Sequence, residues 1–245
     1  LGIVGARAAT AYGERIASEI GSLAGQCGVT AVSGAAYGID AAAHRGVLAA
    51  GGKTIAVLAC GVDVAYPSAH RGLLDRIALN GLIISEAPPG AKPHKRRFLV
   101  RNRLIAALSS GTLVVEAAIR SGSLSTANWA NALCRQVWGV PGPLSSATSA
   151  GIHLAIAQGE MQIVVELPRV LNSVQPEAAA TSVQMSHDEL VIIKALQLKS
   201  MSTSEVISHL RLVSNTASTD EVLGMLTMLE IGGAIIRTTM GWKAV

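Results

Sequence analysis

Aromatic residues are scarce: one Phe, three Tyr and three Trp in 245 residues. Charge is sparse too, at 15%, against 50% apolar content. That balance excludes a disordered chain and requires a core assembled from Ala, Val, Leu, Ile and Gly. No window holds eighteen uninterrupted apolar residues, and the N-terminus lacks a basic segment followed by an apolar one, so neither a membrane span nor a secretory leader is expected. The expectation is a soluble, cytoplasmic protein. Cys27, Cys60 and Cys134 are odd in number, far apart and set in apolar runs. They speak against a disulfide or metal framework and read as reduced, buried thiols. No GxGxxG follows any strand-like run, which removes the ordinary dinucleotide fingerprint; nothing calls for a metal or an organic cofactor. The chain opens on LGIVG as if inside a strand, so residues are expected to precede Leu1.

What is present is alternation. Short β-rich runs (LGIVG, VTAVSG, TIAVLACG, LIISE, TLVVEA, QVWGVPG) are separated by helical patterns at 11–26, 38–50, 67–79, about 98–109, and 123–134. This predicts an α/β fold, a Rossmann-like parallel sheet with helices on both faces. Ligands of such sheets bind beyond the carboxyl ends of the strands. From Arg169 to Ser186 the composition turns small and polar and reads as a linker. Beyond it, helical patterns from His187 (apolar at Leu190, Ile193, Leu196), from Thr203 and from Thr219 (apolar at Val222, Leu223, Leu226, Leu229) precede a hairpin-like AIIRTTMGWKAV, a winged-helix order. The predicted domains are therefore 1–168, a linker 169–186, and 187–245.

Charge is not spread evenly. Lys92, Lys95, Arg96, Arg97, Arg101 and Arg103 place six of the twenty Lys+Arg in twelve positions, with no acid between Glu86 and Glu116. Residues 1–167 carry fourteen Lys+Arg and nine Asp+Glu, net +5, and without those six the balance is −1. Unscreened like charges repel unless a polyanion neutralises them, so nucleic acid leads the partner classes. Phe98 sits among the cations and reads either as a base-stacking platform or as packing beneath a loop.

Strand-end turns supply the other candidates. Gly5 lets a backbone approach a ligand and Arg7 can fork onto phosphate. Ser33-Gly34 opens a second Gly-rich turn that either cradles phosphate through its backbone N–H groups or simply makes a tight turn; Asp40 in it reads as structural, with His44 one helical turn on as its hydrogen-bond partner. Ser121, Gly122 and Ser123 cap a helix start and offer amides to phosphate.

Together VGAR at 4–7, SGAAYGID at 33–40, AAAHRGVL at 41–48, TIAVLACGVDVAYP at 54–67, PPG at 88–90, the Phe98–Arg103 run with Asn102 inside it, VVEA at 114–117, SGSLSTA at 121–127 and VPG at 140–142 resemble the DprA/Smf family of DNA-processing proteins. The resemblance covers about residues 1–167. It implies a non-enzymatic single-stranded-DNA-binding protein that loads the RecA recombinase in natural transformation and dimerises through its Rossmann domain. It places the strand grip on Arg7 and Lys95, with Phe98 as the base contact. Ala6 departs from the family's serine, and Gly151-Ile152-His153 and Glu160 depart from its usual pattern, which discounts contacts from 151–160.

A rival reading is a nucleoside-monophosphate phosphoribohydrolase of the lysine-decarboxylase-like type, in which Glu116 would be the catalytic carboxylate. Its motif is echoed by Gly111–Glu116 but with one residue more between Thr and Glu, and catalysis does not tolerate such a displacement. Glu116 otherwise reads as structural or as a partner of Arg101 or Arg103. Residues 186–245, with five Lys+Arg against six Asp+Glu, read as a protein-interaction or regulatory module and not as a reader of duplex DNA.

Overall fold

Alternate side chains of a strand face opposite ways, and the sheet buries both sets. In the computed structural model, which describes residues 1–174, 186–213, 218–231, 234–239 and 241–244, Ile3 and Leu113 enter one core, and their neighbours Val4 and Val114 enter another. The strands are β1 (Gly2–Val4), β2 (Ala31–Ser33), β3 (Thr54–Leu58), β4 (Leu82–Ser85), β5 (Gly111–Val114), β6 (Gln136–Gly139) and β7 (Gln162–Ile163). Every pair is parallel, in the order β4-β3-β2-β1-β5-β6-β7. The helices are α1 (Ala11–Gln26), α2 (Ile39–Ala49), α3 (Arg71–Asn80), α4 (Lys95–Leu108), α5 (Gly122–Ala132), α6 (Ala150–Ala157) and α7 (Leu167–Val174).

Helices α1 and α2 cross closely because glycines meet backbone. A Cβ on Gly21 or Gly46 would collide with the carbonyl oxygens of Ala43 and Ser18 respectively. The chain walks outward from β1 to β4, and α4 then carries it back over the sheet so that β5 pairs on the other side of β1. The crevice at the carboxyl ends of β1 and β5 is the switch point of this topology.

Some expectations move. Helix α4 begins three residues before the Phe98 start read from the pattern, so Lys95, Arg96 and Arg97 belong to its first turn and not to a loop. Helix α6 shows no stripe in the sequence: apart from His153, AGIHLAIA is apolar or small around its whole circumference. Residues 169–174 are not linker. They complete α7, whose Val170, Leu171 and Val174 are buried in the first core. The chain divides into units Leu1–Gln175 and Pro176–Val245; the rest of the expected linker, 175–185, lies outside the described residues. Of the cysteines only Cys60 is buried, while Cys27 and Cys134 are exposed where helices end.

The second unit holds α8 (His187–Leu198), α9 (Thr203–Val213), α10 (Thr219–Ile231) and an antiparallel hairpin of β8 (Ile235–Thr238) and β9 (Gly241–Ala244). A backbone bridge joins Met201 to Trp242. Ser186 and Glu189 form a capping box at α8. Ile192, Leu196, Val206, Leu210, Val222, Leu226, Leu229, Ile235 and Trp242 make a separate core. The inward faces differ slightly from the pattern, since Leu190 and Leu223 are exposed. No helix among the described residues is long and apolar enough to cross a membrane.

Candidate nucleic-acid interface

At the switch point lies a cleft of about 760 Å³ whose walls include Gly5, Arg7, Lys95, Arg96, Phe98, Arg101, Asn102, Ser121, Gly122 and Ser123. Residues scattered over 119 positions of sequence thus converge because β1, α4 and α5 all present an end there. Helix α4 is started by His94, whose Nδ1 accepts from the Arg96 amide at 3.4 Å. Its first turn is cationic throughout, with no acid. Cations at a helix N-terminus oppose the backbone dipole, and only an incoming anion relieves that arrangement. Lys95, Arg96 and Arg97 are exposed.

Arg7, at the end of β1, lays its guanidinium over the Phe98 ring, 4.5 Å from the centroid, and Tyr66 packs against the same ring at 5.7 Å. Phe98 is half-buried, intermediate between a free platform and a buried anchor. Tyr66 was missed in the sequence, although its position in the turn after β3 was itself a signal.

The six cations of 92–103 are not equivalent. Arg101 lines the cleft but is only 6% exposed. Its guanidinium donates to the Val57 carbonyl and lies against Gly34, where any Cβ would collide with it. Its charge is answered by Asp40, whose carboxylate accepts from the amides of Gly34 at 3.1 Å and Ala36 at 3.3 Å. Burial pushes the Asp40 carboxyl up, opposed first by Arg101 and then by hydrogen bonds from the Ala36 and Gly34 amides. Arg103 pairs with Glu86 outside the cleft. Arg97 donates to the Lys92 carbonyl at 2.8 Å and faces a neighbouring groove. The run free of acids in sequence is therefore partly neutralised in space, by Asp40 and Glu86. Arg7, Lys95 and Arg96 are the cations facing the cleft that remain exposed.

Ser33 lies behind the cleft wall, at the end of β2. It is fully buried and its hydroxyl donates to the Ile3 carbonyl at 2.6 Å. Asn102 is buried and donates to the Gly122 carbonyl at 3.0 Å, fixing the entry to α5. Ser121 caps α5, accepting from the Ser123 amide at 3.3 Å, and the two hydroxyls are hydrogen-bonded at 2.7 Å.

His44 does not bond to Asp40. Its Nδ1 meets the Thr54 hydroxyl at 2.7 Å, and that hydroxyl donates to the Ala31 carbonyl, so Nδ1 carries the proton and the buried Nε2 has no partner. Burial, and then Arg101, lower its pKa to about 3. Glu116 pairs with neither arginine. It accepts from the Thr10 amide at 2.9 Å and the Thr10 hydroxyl at 2.5 Å, and is buried. A carboxylate so engaged tethers the start of α1 to the end of β5 and is not presented to a substrate.

The comparisons agree with this geometry. The family model described as DNA recombination-mediator protein A matches residues 1–175. A Mycobacterium tuberculosis protein named as a DNA processing protein DprA is 41% identical over 240 residues, 94% of this chain and 60% of that protein. This chain thus spans about 60% of that relative's length. The X-ray structure of DprA from Streptococcus pneumoniae superposes with a TM-score of 0.66 at 38% identity, covering 71% of this chain and 61% of that one. A Helicobacter pylori DNA processing protein A structure, described for its single-stranded DNA binding mode, gives 0.65 at 31% identity, covering 70% and 78%. With the switch-point cleft, the strand-end turns and a family model spanning the whole first unit in agreement, the chain belongs to the DNA recombination-mediator protein A family, that of the DprA and Smf proteins.

Proposed function

We propose that this chain binds single-stranded DNA along the switch-point cleft and delivers it to the RecA recombinase in transformation and recombination, without catalysing a reaction. One observation carries the reading: Arg7, Lys95, Arg96 and Phe98 line a single cleft, while Asp40 and Glu86 are held by Arg101 and Arg103. The cleft keeps uncompensated positive charge beside an aromatic ring, the combination that tracks a phosphate backbone and stacks bases. The single-stranded DNA binding mode described for the Helicobacter pylori protein supports the same reading. Gly5 and the α5 start (Ser121, Gly122, Ser123) offer backbone amides to phosphates, while Gly34, Arg101 and Asn102 hold the walls in shape. Association of two copies through the first unit, a cytoplasmic location and a winged-helix interaction role for the second unit belong to the same proposal.

The test is titration of labelled single- and double-stranded oligonucleotides across a salt series. The logarithm of single-strand affinity is expected to fall linearly with that of salt, by about 0.7 per neutralised phosphate. Arg7→Ala and Lys95→Glu, confirmed folded by circular dichroism, are expected to weaken it by more than about tenfold. Undiminished binding in both variants rejects the cleft as the binding surface.

A further inference from the structure

We infer that Tyr66, with Tyr37 beside it, forms a nucleobase-stacking surface that extends the cleft beyond Phe98. This rests on the single-strand reading and says where the bases turn. The Arg7 guanidinium lies over the Phe98 ring at 4.5 Å, so that face of Phe98 is already occupied. The rings that remain available are Tyr66, 40% exposed, and Tyr37, 49% exposed. They stand in the turns after β3 and β2, and each is braced from behind. Tyr66 packs on Phe98 at 5.7 Å. Tyr37 meets His70 edge-on at 4.7 Å, and His70 in turn donates from Nδ1 to the Ala35 carbonyl at 3.0 Å.

Tyr66 lines both the large cleft and a small cavity that it shares with Arg7, Tyr37, Cys60 and Phe98. That cavity measures about 30 Å³, and the rings around it form its rim, on which a base lies. In a chain with seven aromatic residues, three gathered at one mouth on three separate segments, beside the exposed cations Arg7, Lys95 and Arg96, fit a strand whose phosphates follow the cations and whose bases face the tyrosines. Stacking on a tyrosine is tolerant of sequence, because every base has a π-face.

Two experiments test this. In the first, wild type, Tyr66→Leu and Tyr66→Phe are titrated with an oligothymidine and with an abasic strand of equal length and charge. Tyr66→Leu is expected to weaken oligothymidine binding about tenfold and leave abasic binding unchanged, and Tyr66→Phe, which keeps the ring, restores it. Equal losses on both strands would make Tyr66 a positioning residue for Arg7 and Phe98 and overturn the inference, as would no loss at all. If wild type binds neither strand, the underlying reading has failed instead. The second experiment needs no variant: photocrosslinking the wild-type protein to a 5-iodouracil-substituted strand is expected to label Tyr66 or Tyr37, and labelling confined to other residues overturns the proposal.

Discussion

Glu116 shows how a residue's neighbours decide its chemistry. In sequence it closes a GTLVVE run that echoes an enzyme motif; in the fold its two carboxylate oxygens are taken by the amide and hydroxyl of Thr10. Gly13 of α1 sits so close that any side chain there would strike that carboxylate, so the contact joins two packed elements. Glu116→Gln replaces one acceptor by a donor facing Thr10. It is expected to cost about 2 kcal/mol in urea unfolding, the range for a hydrogen bond to a charged group left unmade, with single-strand affinity unchanged. A loss of affinity at full stability would show instead that Glu116 faces the ligand. That Arg7, Lys95 and Phe98 line the cleft follows from their position after a strand or within a charge run, which is local information. The burial of Arg101 and Ser33 was not legible in sequence. It follows from Val57, Gly34, Asp40 and Ile3, which come from two strands, a turn and a helix, and no local pattern encodes that.

Helix α4 inverts the usual arrangement of a surface helix. Arg101 and Asn102 point inward with Ile105 and Ala106, while Leu99, Val100 and Leu108 are about half exposed. Charge runs ordinarily make solvated faces; here the inward arginine is stabilised by a carboxylate from α2 instead. The first turn is the part left uncompensated. Arg96→Glu places an acid where the dipole favours one, and folding stability is expected to rise by about 0.3–1 kcal/mol. Single-strand affinity should fall in the same variant, more than tenfold at low salt. Thermal melting and oligonucleotide titration on one preparation read both. If stability and affinity fell together, the first turn would be contributing to the fold, and the cationic cap would not be a functional cost.

At the scale of the whole chain, the two units differ in the field they present. Residues 1–167 carry a net +5 and residues 186–245 a net −1. In the second unit the acids sit at helix starts, where they cap: Glu189 on Ser186, Glu205 on Ser202 and Glu221 on Ser218. Hydrogen bonds from Ser202 and from Ser218 lower the carboxyl pKa of Glu205 and of Glu221 below the usual range, so those charges persist at neutral pH. Helix α10, the third helix and the element that a winged-helix module would lay in a major groove, starts with Asp220 and Glu221 and exposes Leu223 and Met228. A helix with that surface repels phosphates and offers an apolar contact instead. Because the unit has its own core, the fragment 186–245 is expected to fold and to show no salt-dependent binding to duplex DNA in a mobility-shift titration, while 1–175 keeps the single-strand affinity of the longer chain. Tight duplex binding by the fragment would mean that its few cations, Arg211, Arg237 and Lys243 among them, act together despite the acids between them. The division of labour proposed here, DNA to the first unit and protein partners to the second, would then be wrong.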